Sequence, residues 1–182
     1  MRACKGLFFV VEDIVYSPNK YRETEGIQDV NDPSAFVHVK VDEAKKIIYI
    51  VEEFTKKGML NDKIAEKIHE FGYAKEVITA DSAEKKSIDE IRTKYDVPRI
   101  RPAQKGPDSI RQGIQWLLQY DLIIDDRCVK LKEELENYTW KKDKKTGEYL
   151  NEPVDSYNHL IDSIRYAVEH RSKKRGGITI LK

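Results

Sequence analysis

The sequence has few cysteines and no hydrophobic stretch of membrane-spanning length. Cys4 and Cys128 lie far apart and neither belongs to a Cys-x-x-Cys pair, which argues against a zinc site and a disulfide framework. The longest apolar runs, such as 47–51, fall well short of the ~20 residues that a membrane helix needs. The apolar run at 7–11 ends at acidic residues, too soon for a signal peptide. We therefore expect an intracellular protein with no membrane partner.

A net charge of one sign and the common nucleotide-binding motifs are also missing. The 33 basic and 32 acidic residues leave a formal net charge of +1, so affinity for a polyanion has to come from local clustering. There is no P-loop, no G-x-G-x-x-G, no G-x-S-x-G and no H-E-x-x-H. The chain alone is not expected to hydrolyse ATP or bind a dinucleotide through these motifs.

The length and composition fit one soluble globular domain. The chain has 182 residues, of which 40% are hydrophobic and 36% are charged. We interpret 1–182 as a single domain with a poorly defined N-terminal segment at 1–25. Its core spans 26–170 and includes a basic hairpin at 137–151, and a basic tail follows at 171–182.

Hydrophobic periodicity predicts a hairpin followed by strands that alternate with helices. Alternation at 35–41 is typical of a half-buried strand, and the polar turn at 42–46 that leads into the apolar run 47–51 predicts an antiparallel hairpin. Asn61 is predicted to cap the first helix and Ser87 to open the second, through a capping box. Further strands are predicted at 77–80, 99–101 and 122–124, and further helices from 107, around 128–135, and at 155–170. This order implies an α/β fold, a mixed β-sheet with helices on both faces.

Two positions carry candidate chemistry. Asp81 ends the apolar strand 77–80, and ligands of open α/β sheets bind beyond the carboxyl ends of strands. Asp81 is a candidate metal ligand or base, although Asp at such a point also caps turns. On the polar stripe of the last helix, His159 and Asp162 stand three residues apart and can reach one Mg²⁺ or Mn²⁺ ion. A solvated polar face is the alternative interpretation of that stripe.

Basic residues form a third element. A lysine-rich tip between Trp140 and Tyr149 predicts a protruding hairpin, and a second basic segment lies near 99–105. Such groups contact phosphates in sequence-independent nucleic-acid binding, although a solvated charge run has the same composition. The candidate DNA-binding residues are Lys141, Lys142, Lys144, Lys145, Arg101 and Lys105.

Several sequence blocks, in order, resemble a known family. They are Asn31-Asp32-Pro33-Ser34-Ala35-Phe36, Thr79-Ala80-Asp81-Ser82-Ala83-Glu84, Arg99-Ile100-Arg101-Pro102-Ala103, Lys105-Gly106-Pro107-Asp108-Ser109-Ile110, Tyr138-Thr139-Trp140, and Asp155-Ser156-Tyr157-Asn158-His159 with Asp162-Ser163-Ile164-Arg165-Tyr166. Together they resemble the C-terminal nuclease domain of the large terminase subunit of tailed bacteriophages, over about 26–170.

The resemblance implies an RNase H-like fold that cuts concatemeric viral DNA during genome packaging, with little sequence specificity. It implies Mg²⁺ or Mn²⁺ as cofactor, two ions in all, with Asp81 as the central carboxylate and His159 and Asp162 as the C-terminal metal-binding pair. The implied partners are double-stranded DNA, the terminase ATPase domain, the small terminase subunit and the portal protein. The implied location is the cytoplasm of a bacterial host.

The sequence departs from the family at its first strand. There the family carries a catalytic Asp in a pattern like G-x-D-x-G, six residues before the Asp of Asp-Pro. Counting back from Asp32 reaches Gly26 instead. Either Asp29 or Glu25 substitutes, and Asp29 is our choice, or this metal ligand is lost.

Two other functions stay open on the sequence alone. One is a catalytically impaired DNA-binding or motor-docking module with the same fold, which the Gly26 departure favours. The other is a different RNase H-like nuclease, such as a junction resolvase.

Overall fold

A six-stranded mixed sheet forms the centre of the computed structural model, which describes residues 12–17, 33–104, 106–154 and 157–173. Its strands lie in the order β5-β4-β1-β2-β3-β6. β2 is antiparallel to both β1 and β3, whereas the pairs β1–β4, β4–β5 and β3–β6 are parallel. The strands are β1 (Glu12–Ser17), β2 (Pro33–Asp42), β3 (Ile47–Lys57), β4 (Ile78–Ala80), β5 (Ile100–Pro102) and β6 (Asp121–Ile124).

Five helices and a separate two-stranded hairpin complete the described part of the chain. A 3-10 turn at Ser82–Glu84 leads into the second helix. The helices are α1 (Asn61–Glu70), α2 (Lys85–Lys94), α3 (Ser109–Leu117), α4 (Val129–Asn137) and α5 (His159–Lys173), and the hairpin consists of β7 (Trp140–Lys142) and β8 (Tyr149–Pro153). No helix within these described residues is both long and apolar enough to cross a membrane.

Helices cover both faces of the sheet, as predicted. Successive side chains of a strand point to opposite faces, so Phe36 packs with α1 and α2, whereas Val37 packs with α4 and α5. Six consecutive residues of β2, 34–39, are buried, which is typical of a strand covered on both sides. One core contains Phe36, Ile64, Ile68, Ile78 and Ile91, and the other contains Val37, Val39, Leu131, Leu160 and Ile164.

The predicted helix starts needed correction. Asn61 does not cap α1, because it lies inside the first turn and its side-chain amide donates to Glu90 Oε2 at 2.7 Å. Ser87 lies within α2 and is buried, because the 3-10 turn after β4 has already started the helix at Lys85. The last helix begins at His159 rather than at 155. The apolar run at 7–11, which could form a strand, lies outside the described residues.

The candidate residue Asp81 lies just beyond the carboxyl end of β4, in a row of residues that crosses the strands at one end of the sheet. Tyr16 of β1 pairs with Ala80, and Ser17 pairs with Ala35, which in turn pairs with Thr55 of β3. Continuing the parallel register by one residue sets Asp81 beside Ser17. We call this row, with the residues that follow it, the site edge.

Candidate metal and nucleic-acid site

Asp81 is buried at the site edge and is held from two sides. Only 2% of it is exposed to solvent. Its Oδ1 accepts the backbone N–H of Ala83 at 2.9 Å, and its Oδ2 accepts the Tyr166 hydroxyl of α5 at 3.3 Å. Asp81 therefore caps the turn after β4, as the alternative interpretation proposed. It also faces the helix that carries the other candidate residues.

Tyr166 links the two candidate carboxylates. Burial raises the pKa of its hydroxyl well above the ordinary value, and the nearby carboxylates of Asp81 and Asp162 raise it further. The phenol therefore stays protonated and able to donate to Asp81. Asp162 lies one turn before Tyr166 on α5, so the hydrogen bond of Tyr166 places Asp81 against the part of the helix that carries Asp162.

Asp162 forms an ion pair with a buried arginine. Arg165, one turn further along α5, donates from Nε and Nη2 to Asp162 Oδ1 at 3.1 and 2.7 Å. The Arg165 residue is only 4% exposed and its guanidinium lies 5.3 Å from the centre of the Tyr166 ring. A Cβ atom at Gly113 of α3 would lie 3.1 Å from Arg165 Cδ, so the glycine makes room for this side chain. Arg165 orients Asp162 and balances its charge.

Two glutamates hold the helices of this face in place. Glu134 Oε2, from α4, accepts the backbone N–H groups of Leu160 and Ile161 at 2.9 and 3.1 Å, at the start of α5. Glu53, from β3, accepts those of Lys130 and Leu131 at the start of α4, both at 2.7 Å. Each carboxylate satisfies N–H groups that a helix start leaves unpaired.

The carboxyl group of Glu134 has a perturbed acidity. Burial raises its pKa from 4.5 to about 7, the two backbone hydrogen bonds oppose this rise, and the charges of Asp162 and Glu53 add to it. Near neutral pH, therefore, both the protonated and the ionised form of Glu134 are populated. This group lies next to the turn that carries His159 and Asp162.

His159 is the first residue of α5 and lies one turn before Asp162. It lines a groove with Glu134 and the end of β3. Within the described residues, no three His, Cys, Asp or Glu side chains gather closely enough to hold a metal ion. The donor types of Asp81 and Asp162 fit a hard divalent cation, but the described arrangement supplies two candidate carboxylates rather than a full set. The metal-ligand roles of Asp81, Asp162 and His159 stay predictions.

The first-strand ligand is the missing part. Asp29, our chosen substitute, lies outside the described residues, and so does Glu25. The strand beside β4 is instead 12–17, whose acidic residues Glu12 and Asp13 pair with Lys40 and Val39, at the end of β1 remote from Asp81. Ser17 occupies the register position beside Asp81. Within β1, therefore, no carboxylate stands at the site edge.

The predicted basic residues divide between two places. Lys141 and Lys142 lie on β7, and Lys144 and Lys145 lie in the turn, which Asp143 closes by accepting the N–H groups of Lys145 and Thr146. The Lys142 ammonium lies 4.7 Å from the centre of the Tyr149 ring.

Arg101 lies on a different element, close to the strand that ends at Asp81. It lies on β5, and its Nε donates to Thr79 Oγ1 at 3.4 Å, two residues before Asp81. Lys105 is outside the described residues. The hairpin is confirmed as a structure, and DNA binding by these six residues stays a prediction.

Sequence reasoning did not identify Arg165 and Glu134 as parts of this site. The spacing of Asp162 and Arg165, at i and i+3 on one helix, is a usable signal for an ion pair. Glu134 gives no such signal, because its backbone partners lie 26 and 27 residues later in the chain.

Comparisons with known proteins identify the family and the fold. A profile of the family described as the terminase RNase H-like domain matches residues 29–170. The crystal structure of the nuclease domain of the large terminase from bacteriophage SPP1, with bound Mn, superposes with a TM-score of 0.75 and 31% identity. It covers 89% of this chain and 86% of that one. The predicted RNase H-like fold is confirmed.

Two curated relatives are longer proteins. The large terminase subunit of Bacillus phage SPP1 is 36% identical over 151 residues, which are 82% of this chain and 35% of that protein. The PBSX phage terminase large subunit of Bacillus subtilis strain 168 is 35% identical over 137 residues, 75% of this chain and 31% of that protein. The chain therefore spans about a third of the length of these relatives.

Proposed function

Since this chain belongs to the family of terminase RNase H-like domains, we propose that it is the nuclease domain of a large terminase. Its activity is divalent-metal-dependent cleavage of concatemeric viral DNA during packaging, with little sequence preference. The observation that carries this proposal is the hydrogen bond from the Tyr166 hydroxyl to Asp81, which sets the carboxylate at the end of β4 against the helix that carries Asp162. Similarity over 86% of a terminase nuclease domain supports it.

The ion is Mg²⁺ or Mn²⁺, and two ions bind when the ligand set is complete. Asp81 and Asp162 hold the metal and His159 contributes from the start of α5. The bound metal would lower the pKa of a water molecule and offset the charge of the phosphodiester. This chain's own residues orient the ligands, since Tyr166 holds Asp81 and Arg165 holds Asp162.

The proposed partners are those that the family resemblance implies. Double-stranded DNA is the substrate, and the terminase ATPase domain, the small terminase subunit and the portal protein are the assembly partners. The cytoplasm of the bacterial host is the location. The basic hairpin guides DNA toward the site edge through Lys141, Lys142, Lys144 and Lys145.

Supercoiled plasmid tests the nuclease proposal. Wild-type protein with Mn²⁺ is expected to convert it to nicked and linear forms, EDTA is expected to stop the reaction, and Asp81→Ala is expected to lose it. Lys85→Ala, on the opposite face of the sheet, is the control for contaminating nuclease and keeps full activity. If wild type and Asp81→Ala cleave equally at high metal concentration, the enzymatic proposal is wrong.

The register of β1 favours one second candidate, a DNA-binding module that cleaves poorly. Ser17 stands where a carboxylate would join Asp81. Ser17→Asp therefore distinguishes the two candidates. A module with an incomplete site gains Mn²⁺-dependent nicking with this substitution, and Ser17→Asn, the matched neutral variant, does not. An already complete site gains nothing from either change.

A further inference from the structure

A groove opens beside the candidate site, at the end of β3. Its volume is ≈ 460 Å³ and its walls include Lys56, Lys57, Lys130, Tyr157 and His159. His159 of this wall lies one turn before Asp162 on α5, so the groove begins next to the candidate site. The basic hairpin, which the sequence singled out for DNA binding, is a different surface.

The end of β3 brings uncompensated positive charge to the groove. Lys56 and Lys57 are exposed, and neither forms an ion pair with any residue that the structure describes. The acidic groups of the wall are already engaged. Glu133 pairs with Lys130 at 2.9 Å, and Glu134 accepts the backbone of α5. The free charge that faces a ligand is therefore positive.

The position of these lysines suits a strand that leaves the site. Thr55 lies in the row of Asp81, and Lys56 and Lys57 follow it directly. Three strand spacings separate the two ends of that row, roughly 14 Å at ~4.8 Å each. This is the length of about four nucleotide steps along a duplex axis.

The wall of the groove also contains an aromatic residue, Tyr157, whose backbone conformation is unusual. Tyr157 has φ of 57°, in the left-handed region that a non-glycine residue rarely adopts, and is 45% exposed. Burial of the ring does not account for this conformation. Exposed aromatic rings beside a basic groove are platforms on which bases stack.

We propose that this groove binds one DNA strand next to the candidate site, with its phosphates on Lys56 and Lys57 and a base against Tyr157. The proposal rests on the proposed function for taking DNA as the ligand. It is independent of cleavage, because none of these three residues is a predicted metal ligand.

Binding of labelled oligonucleotides in EDTA tests the groove without cleavage. Lys56→Glu/Lys57→Glu is expected to weaken binding at least tenfold and to reduce the slope of log affinity against log salt by about 1.5 to 2. Tyr157→Asn, which tolerates the left-handed backbone, is expected to weaken single-strand binding about tenfold and blunt duplex binding less. Tyr157→Phe keeps the stacking surface and is expected to bind like wild type.

The matched control is Lys85→Glu/Lys86→Glu, which makes the same charge change on exposed residues of α2, on the other face of the sheet. Thermal melts of each variant establish that it is folded. If wild type binds DNA and the groove variants bind like this control, the groove proposal is overturned while the proposed function stands. If wild type binds neither oligonucleotide at low salt, the proposed function itself fails.

Discussion

The two faces of the sheet are built from different chemistry. The face under α1 and α2 packs aromatic rings, with Phe36 5.5 Å from Phe71 and 5.8 Å from Tyr73 between ring centres. The face under α3, α4 and α5 buries charged groups, namely Asp81, Glu134 and Arg165. Burial of a charge is unfavourable unless the charge is paired, and each of these three has a partner: Tyr166 for Asp81, the backbone of α5 for Glu134, and Asp162 for Arg165.

The polar groups of the α1–α2 face emphasise this contrast. Tyr73 lies within hydrogen-bonding distance of His38 Nδ1, at 2.8 Å, and its hydroxyl donates to Glu52 Oε2 at 3.0 Å. This series of hydrogen bonds ends at the half-buried carboxylate of Glu52. The α5 face instead connects its charged groups to the start of a helix and to each other. The comparison predicts that stability and activity separate between the faces.

The largest effect is expected at Asp162. Asp162→Ala removes a predicted metal ligand and leaves the buried Arg165 without its carboxylate. Cleavage is expected to disappear, and the free energy of unfolding to fall by about 3–5 kcal/mol. Chemical denaturation and plasmid nicking measure the two quantities.

A second substitution separates these two losses. In Asp162→Ala/Arg165→Met the unpaired charge is gone, so much of the lost stability is expected to return while cleavage stays absent. A double variant as unstable as the single one would contradict the assigned role of Arg165.

On the opposite face, Phe36→Ala is expected to affect stability alone. Removal of this buried ring lowers the free energy of unfolding by about 3–5 kcal/mol, through lost burial and the cavity it leaves. At a temperature where the variant is folded, its nicking rate per molecule should equal that of wild type. A loss of activity in the folded variant would mean that the faces are not independent.

The smallest effect is a pH dependence at Glu134. Its pKa is about 7 in the folded chain against an ordinary 4.5, so the folded chain binds the proton more tightly than the unfolded one. The stabilisation is complete below pH 4.5 and is lost as pH rises through 7. Glu134→Gln keeps an acceptor for α5 but does not titrate.

Denaturation in EDTA at several pH values measures this effect. Between pH 4.5 and about 8, wild type should lose on the order of 2 kcal/mol relative to Glu134→Gln. Parallel stability curves for the two proteins would contradict the raised pKa. The same comparison made with Glu133→Gln, an exposed neighbour, should show no such divergence.

Local pattern predicted most of the regular structure. The alternation at 35–41 and the apolar run at 47–51 predicted the hairpin of β2 and β3, and the short apolar run before Asp81 predicted β4. The starts of α1 and α2 were wrong, because Asn61 found a distant partner in Glu90 and a 3-10 turn entered α2 early. Capping signals depend only on neighbouring residues, whereas here contacts between distant elements determined where the two helices begin.

For the candidate site, the sequence and its family resemblance identified Asp81, His159 and Asp162 but not how they are held. The chain order places Asp81 and Asp162 far apart, and only the packing of α5 on the sheet brings Asp81 to Tyr166, one helical turn from Asp162. The first strand was expected around Asp29. The described strand beside β4 is 12–17, in a part of the sequence where the hydrophobic pattern was least regular.

The sequence by itself determined the class of the protein, because the period of its hydrophobic residues fixes which elements form and which of their faces are buried. Only the tertiary structure decided that Arg165 balances Asp162, that Glu134 holds the start of α5, and that Ser17 stands beside Asp81. The physical reason is distance along the chain. The local pattern of hydrophobic residues indicates which side chains are buried, whereas the partner of a buried charge depends on how distant elements pack.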